Sequence, residues 1–410
     1  MVHKRIRVGN TKGGYLAPDL DYGSSQAVVA GDQVFLVGCT GLTLDGKTFV
    51  GEGDPAVQAE TAMQNVKTLL EEAGARMEDI CMITNYTTEH SHRAQVYPVI
   101  ARHLEGVNPV STGLVVKSLA SPYIDFEIDV WAVIPKNRAR GHERHRLLNA
   151  KGGYLMPDLN FGNSKIVRAN DHLFLQGQTG MTLDGKGFIG EGDPAKQAQA
   201  AMENVRELLA DAGATIADVC KITTYITDPS YREGIYRVLA EFFRDVHPVS
   251  TGTVVKALAR PELDFEIDVF AMMPDDKSKG HNRFRLGDSN YLPDLDYRLS
   301  KVVRAGNFIF LQGQTGLALD GSGLVGRDDP AVQADEAMKN VRTLLEESGS
   351  RMEDICKVTV YVTDMADRAA IYPVLGRHLR DVNPTSTGIV LEALANPELD
   401  FEIDVFAALG

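Results

Sequence analysis

Three short segments of this chain place a glutamate between two aspartates. Each reads Asp-Phe-Glu-Ile-Asp-Val, and because strand side chains alternate between two faces, the acids share one face and the apolar residues share the other. A glutamate on an inward face beside hydroxyl groups can position water and shuttle protons if burial raises its pKa. The alternative is a solvated strand face on which the acids exchange hydrogen bonds with backbone. The glutamates are Glu127, Glu266 and Glu402.

A Ser-Thr-Gly motif precedes each acidic segment. Its hydroxyl donors and flexible backbone suit a neutral or amide-like ligand better than a free carboxylate. The alternative is a plain turn that enters a strand. The hydroxyl residues are Ser111, Thr112, Ser250, Thr251, Ser386 and Thr387.

Positive charge for an anionic ligand has two candidate sources. Lys117 and Lys256 follow the Ser-Thr-Gly motif in two places, whereas the third has Glu392. Arginines also recur at the start of a predicted helix, where a surface ion pair is the commoner role. These arginines are Arg93, Arg232 and Arg368.

Cys39 is the one cysteine without an equivalent elsewhere in the chain, since Cys81, Cys220 and Cys356 share one repeated apolar position. A nucleophilic thiolate needs a nearby cation or base. His90 and His92 are also peculiar to the first third of the chain, but nothing in the sequence brings them to Cys39. Packing of a small residue is therefore the favoured interpretation. These three residues have no metal-site spacing, and we expect neither a metal nor a cofactor.

The motifs recur because one module is written three times. Asp-Pro-Ala-x-Gln-Ala begins at Asp54, Asp193 and Asp329, which are 139 and 136 residues apart. A module of this length can bury its own core. The predicted domains are residues 1–138, 139–277 and 278–410.

Each module reads as an α+β unit. Val34 to Gly38 predicts a buried strand, Asp54 and Pro55 cap an amphipathic helix, and Gly74 ends that helix. The predicted order is β-β-α-β-α-β, with the helices on one side of a sheet. Three such modules on short tethers favour closed packing as a pseudo-trimer. The basic junctions, 135–146 and 274–285, look like solvated linkers.

The net charge of −14 and the pI near 5.2 argue against a nucleic-acid partner. With no signal peptide, no disulfide framework and no apolar run long enough to cross a membrane, we expect a cytoplasmic protein without a membrane partner.

The order of these elements resembles the Rid/YjgF family. The resemblance is carried by the Gln-Ala…Asn-Val helix, by Tyr-x-Thr-Asp at 225–228 and 361–364, and by the closing Phe-Glu-Ile-Asp-Val strand. It implies a chorismate-mutase-like α+β fold that assembles as a trimer, with ligand sites between subunits. Here those clefts would lie between repeats of one chain, and further self-association of the pseudo-trimer stays open.

The family's deaminases hydrolyse imines or enamines and grip the substrate carboxylate with an arginine that is absent here. Ser111, Ser250 and Ser386 occupy its position, or the adjacent threonines do if the alignment slips by one. The family's water-activating acid falls on the three glutamates. Its Ser-Gly-Gln segment appears with Gln178 and Gln314 in two copies and with Cys39 in the first.

The resemblance therefore implies a small-molecule hydrolase or deaminase that acts on an imine, enamine or amide-type metabolite in the inter-repeat clefts. A glutamate would position the attacking water, without the family arginine. The alternative is a non-catalytic ligand-binding or regulatory protein. Because tethered copies can diverge independently, we expect at least one specialised cleft.

Overall fold

The computed structural model describes residues 3–273, 280–288 and 297–410. These residues form three similar units, each a mixed sheet covered on one side by helices. Two sequence features lie outside the described residues. One is Pro293, which repeats Pro18 and Pro157 of the other modules, and the other is the predicted domain boundary between residues 277 and 278. The three domain limits stay a prediction.

The sheets share one strand order, in which the acidic strand lies near the centre and the Ser-Thr-Gly strand at an edge. The first sheet contains Lys4–Ile6, Ala27–Ala30, Gln33–Leu36, Phe126–Val133, Ile80–Thr87 and Val110–Val115. The second contains Glu143–Asn149, Gly162–Ala169, His172–Leu175, Phe265–Met272, Val219–Ile226 and Val249–Val254. The third contains Asn282–Asp288, Arg298–Ala305, Phe308–Leu311, Phe401–Ala408, Ile355–Val362 and Thr385–Val390, and Gln314–Thr315 pairs with its acidic strand. A small separate ladder joins Gly9–Asn10 to Gly23–Ser24.

Two helices of each repeat pack on one face of its sheet. The first helix begins as the sequence predicts, because Asp54 accepts a hydrogen bond from the Val57 amide and Pro55 occupies the first turn. Gly74 ends it with a positive φ of 79°. The long helices are Pro55–Ala73, Pro194–Asp211 and Pro330–Glu347. The shorter ones are Arg93–His103, Arg232–Phe243 and Arg368–His378. Short 3₁₀ turns are Met77–Asp79, His90–His92, Ile216–Asp218, Pro229–Tyr231, Met352–Asp354 and Met365–Asp367.

The predicted α+β class is confirmed, with two strands per repeat that the predicted order lacks. One is the first strand of each repeat, such as Glu143–Asn149, which we call the leader strand. The other contains the Ser-Thr-Gly motif. The leader is more than a solvated linker, because Arg144 donates to the backbone oxygens of Asn108 and Ile80 in the preceding repeat, at 3.0 and 2.9 Å. The sequence did not predict this strand because its residues are polar. They are polar because the segment lies across the boundary between two repeats and does not cover an apolar core.

The repeats meet around a shared aromatic core. Trp131, Phe270 and Phe406 occupy equivalent positions on the three acidic strands, and their ring centroids are 5.1 to 5.7 Å apart. Apolar residues from all three sheets join this cluster. The chain therefore packs as an intramolecular pseudo-trimer around an axis lined by its acidic strands.

No helix in the described part of the chain combines the length and the apolar character needed to cross a membrane.

Candidate functional site in the clefts between repeats

Three equivalent clefts lie between neighbouring repeats. Each takes a tyrosine and the serine and glycine of Ser-Thr-Gly from one repeat, and a glutamate and the end of a strand from the next. Cleft 1–2 contains Tyr97, Ser111, Gly113, Gly177, Gln178 and Glu266. Cleft 2–3 contains Tyr236, Ser250, Gly252, Gly313, Gln314 and Glu402. Cleft 3–1 contains Tyr372, Ser386, Gly388, Gly38, Cys39 and Glu127.

A glycine lies directly against each glutamate. A Cβ added to Gly177 would lie 1.9 Å from Oε1 of Glu266, and one added to Gly38 would lie 1.7 Å from Oε1 of Glu127. No side chain fits at such a distance. The glycine therefore fixes where the carboxyl group lies in the cleft.

The three glutamates are buried acids, with exposed fractions of 3 to 4%. Burial, reinforced by the neighbouring aspartate of the same strand, raises the pKa of Glu127, Glu266 and Glu402 to about 8. Oε2 of Glu127 and of Glu402 has no hydrogen-bond partner in the part of the chain that the structure describes. The solvated strand face considered from the sequence is thus wrong, and each cleft presents a neutral carboxylic acid near pH 7.

The recurring arginines are buried beside these acids. Arg93, Arg232 and Arg368 are only 7, 8 and 9% exposed. Each guanidinium opposes the burial effect and lowers the pKa of the glutamate contributed by the neighbouring repeat. The expected surface ion pair is therefore wrong, because the next repeat covers the start of this helix.

A tyrosine one helical turn further along holds each arginine in place. The guanidinium carbon of Arg93 lies 4.7 Å from the ring centroid of Tyr97, and that of Arg368 lies 4.3 Å from Tyr372. A Cβ on Gly113 would lie 2.7 Å from Arg93 Nη1. Glycine in the Ser-Thr-Gly motif thus makes room for the arginine, and the motif lies inside a strand, Val110–Val115, instead of forming the alternative turn.

The serines and threonines of the motif point to different places. Ser111, Ser250 and Ser386 line the clefts. The threonines instead donate to aspartates at the pseudo-threefold axis: Thr112 to Asp268 and Thr387 to Asp129, both at 2.5 Å, and Thr251 to Asp404. Adjacent strand residues face opposite ways, so the structure does not bring the threonines into the clefts as ligand contacts.

The glutamine and cysteine positions line the clefts as well. The side-chain amides of Gln178 and Gln314 donate to the backbone oxygens of Gln176 and Gln312, both at 2.7 Å. Cys39 donates to the Val37 oxygen at 3.4 Å, and burial raises the pKa of its thiol. This environment disfavours a thiolate and agrees with packing of a small residue.

The histidines peculiar to the first repeat do not join Cys39. His90 Nε2 lies 3.0 Å from the Ala259 oxygen at cleft 1–2, whereas Cys39 lines cleft 3–1. Among the described residues, no group of three or more His, Cys, Asp or Glu side chains is arranged to hold a metal ion. The expected lack of a metal or cofactor stays a prediction.

The sequence reasoning missed a cationic position in the clefts. Lys165 lines cleft 1–2 and Lys301 lines cleft 2–3, whereas the first repeat has Gln26 in cleft 3–1. A signal was available, because Ser-Lys recurs in two repeats and becomes Ser-Gln in the first. The lysines considered from the sequence lie elsewhere: Lys117 donates to the Thr363 oxygen, and Lys256 pairs with Glu89 at 2.7 Å.

The sequence model of a known family matches all three repeats. Residues 16–134, 159–273 and 293–409 match the model described as Endoribonuclease L-PSP. The chain belongs to the Endoribonuclease L-PSP family. The resemblance to Rid/YjgF proteins is thereby confirmed, and curated relatives carry RutC family names.

Individual relatives of this Endoribonuclease L-PSP family member match about one repeat each. The RutC family protein YjgH of Escherichia coli is 35% identical over 113 residues, which cover 27% of this chain and 83% of that protein. The 2-iminobutanoate/2-iminopropanoate deaminase of Dermatophagoides farinae is 30% identical over 107 residues, which cover 25% of this chain and 80% of that protein. Of these two relatives, the protein of Dermatophagoides farinae carries a deaminase name.

A solved chorismatase matches the chain over several repeats. The likeness covers 81% of this chain and 93% of the chorismatase chain, with a TM-score of 0.53 and 13% sequence identity. At this identity the likeness shows the fold alone.

Proposed function

We propose that this chain is a deaminase-type hydrolase that acts on a small anionic metabolite with an imine or enamine nitrogen, bound in the clefts between repeats. One observation carries the proposal. In each cleft a buried, neutral carboxyl from one repeat faces a buried arginine from its neighbour. The deaminase name of a 30% identical relative supports the same reaction class.

The arginine supplies the cation that the Ser-Thr-Gly strand lacks. A guanidinium binds a carboxylate through two parallel hydrogen bonds and stays charged when buried. Arg93 Nη1 is a buried donor without a hydrogen-bond partner among the described residues, which suits this role. The neutral ligand favoured by the Ser-Thr-Gly motif is therefore replaced in this proposal by an anionic one.

The glutamate carries the proton transfers. In cleft 1–2 the Glu266 carboxyl protonates the imine nitrogen, and the resulting carboxylate accepts a proton from the water that attacks the imine carbon. The restored acid then protonates the departing amine, and its carboxylate takes the hydroxyl proton as the carbonyl forms. The products are a ketoacid and ammonia. A pKa of about 8 keeps the acid form populated at neutral pH.

The test uses a panel of imino acids generated in situ by an amino acid oxidase, together with enamino acids and cyclic amides. It follows ammonia release and substrate mass, because a cyclic amide opens without releasing ammonia. We expect release above the buffer rate that scales with protein concentration. Because general acid–base catalysis contributes about 10²- to 10⁴-fold, the triple variant Glu127→Gln, Glu266→Gln, Glu402→Gln should lose at least about 100-fold in rate.

A matched control is Glu233→Gln, which changes an exposed glutamate that pairs with Arg237. It should keep full activity. Equal rates for the triple variant and the wild-type chain would refute the catalytic role. Silence across the whole panel, with thermal stabilisation by one compound, would instead support the non-catalytic ligand-binding alternative.

A further inference from the structure

Cleft 1–2 holds two buried cations without a carboxylate partner. Arg93 and Lys165 are each 7% exposed, and both line this cleft. Within the described ranges, neither has a carboxylate oxygen within 4.0 Å. Burying an unpaired charge is costly. Two such cations in one cavity indicate that a ligand supplies two anionic groups.

Other unsatisfied polar atoms belong to the same cleft. Arg93 Nη1, the Asn163 side-chain oxygen and the Gln176 side-chain oxygen are buried without hydrogen-bond partners within residues 3–273, 280–288 and 297–410. Buried polar groups in native proteins are nearly always paired, so three orphans in one cavity are informative. They are available to contact a polar ligand, with the amide groups adjusting their orientation to donate or accept.

The electrostatic balance of the interior is positive. The raised pKa of about 8 leaves Glu266 largely uncharged at neutral pH. Burial lowers the pKa of Lys165 to about 8, against the attraction of Glu266 and of Asp184, an exposed residue that also lines the cleft. Lys165 is therefore still mainly charged at pH 7, and a bound anion would raise its pKa further.

The residue at the position of Lys165 differs among the three clefts. Cleft 2–3 has Lys301 on the same strand position, with its pKa lowered first by burial. Cleft 3–1 has Gln26, whose amide donates to the Leu44 oxygen at 2.7 Å. Arg368 thus faces Glu127 in cleft 3–1 without a lysine at the second position. The other cationic residues that line this cleft are exposed to solvent, and they are Arg7, Lys12 and Lys47.

We infer that clefts 1–2 and 2–3 bind a ligand with two acidic groups, whereas cleft 3–1 binds a ligand with one. The arginine binds the carboxylate next to the reacting carbon, and the lysine binds the second acidic group. The identity of the reacting group rests on the proposed function, but the two-anion preference does not.

The test uses stable ketoacids and measures binding without turnover. Isothermal titration compares 2-oxoglutarate with 2-oxopentanoate, which replaces the second carboxylate by a methyl group. We expect the wild-type chain to bind 2-oxoglutarate at two sites, at least about tenfold more tightly than 2-oxopentanoate, because a charged hydrogen bond is worth about ten- to a hundredfold in affinity. Lys165→Met should remove the tight dicarboxylate binding at one site and leave 2-oxopentanoate binding within about twofold.

Two further variants sharpen the result. Gln26→Lys should add a third dicarboxylate site. Lys256→Met, at an exposed lysine that pairs with Glu89, should change neither affinity. The inference is overturned if neither acid binds at millimolar concentration, if 2-oxoglutarate binds no more tightly than 2-oxopentanoate, or if Lys165→Met weakens both acids equally. Two-site dicarboxylate binding without ammonia release from any imine would sink the proposed catalysis alone.

Discussion

Buried acidic groups in the clefts and at the pseudo-threefold axis differ in whether a partner is bonded to them. Glu402 and Asp404 lie two residues apart on one face of the same strand. At the axis, Asp404 receives Lys221 at 3.0 Å and the Thr251 hydroxyl, so its charge is paired. In the cleft, Oε2 of Glu402 has no hydrogen-bond partner among the described residues. The difference separates groups that stabilise the assembly from groups kept available for a ligand.

The axis itself is asymmetric. Lys357 pairs with Asp129 at 2.9 Å in the same way as Lys221 pairs with Asp404. The first repeat has Met82 at this position. Among the described residues, Asp268 therefore accepts side-chain hydrogen bonds only from Thr112 and Tyr225, and burial raises its pKa to about 6.

The largest expected effect comes from breaking a pair at the axis. Asp404→Asn leaves Lys221, which is fully buried, without its counter-charge. Removing one partner of a buried pair typically costs about 3 kcal/mol or more of unfolding free energy. Glu402→Gln, two residues away in the cleft, should cost far less, because no buried cation is bonded to it. Chemical denaturation of both variants checks this contrast, and equal losses would contradict it.

Gly177→Ala should have the next largest effect. The new Cβ would lie 1.9 Å from Glu266 Oε1, so the carboxyl must move. Overpacking of this kind costs about 1 to 3 kcal/mol of unfolding free energy. Gly234→Ala is a suitable control, since its Cβ would meet Ala195 at an ordinary 3.6 Å. Denaturant midpoints compare the two, and a destabilisation no greater than that of the control would show that the carboxyl moves freely.

The three cleft glutamates should also change how the free energy of unfolding depends on pH. Their pKa rises from an ordinary 4.5 to about 8 in the folded chain, so the folded state binds these protons more tightly than the unfolded state. Their contribution is fully present below pH 4.5 and is lost as the pH rises through about 8. The triple Glu→Gln variant should therefore lose less stability between pH 5 and pH 8.5 than the wild-type chain. Melting curves across this window decide it, and parallel profiles would contradict the raised pKa.

The smallest expected effect is at the unpaired axial aspartate. The hydroxyls of Thr112 and Tyr225 donate to different oxygens of Asp268. Asp268→Asn keeps one of these acceptors, lets the other hydroxyl accept from the new amide, and leaves no lysine without its counter-charge. We expect a change within about 1 kcal/mol, as for exchange of one neutral hydrogen bond. The measurement is the denaturant midpoint beside that of Asp404→Asn. A loss as large as that of Asp404→Asn would mean that Asp268 carries a paired charge.

Sequence alone predicts what is local. The Asp54 cap and the Gly74 stop follow from motifs that act within one repeat. The strand pattern around Glu127 leaves burial and a solvated face both open. The role of Arg93 does not follow from such a motif, because its burial depends on the next repeat, about which a helix start carries no information. Ser111 and Thr112 could be separated only once the strand register was known. Lys165 belongs to a visible repeat pattern, but nothing in the sequence places that strand position in a cleft.

The central claim is that each site joins the arginine of one repeat to the glutamate of its neighbour. It is tested most directly in the variant Glu127→Gln, Glu402→Gln, which keeps only Glu266. In that background, ammonia release should fall by at least about tenfold when Arg93→Met is added, and should stay within about twofold when Arg232→Met or Arg368→Met is added. Loss of activity with Arg232→Met or Arg368→Met, or full activity with Arg93→Met, would contradict the account.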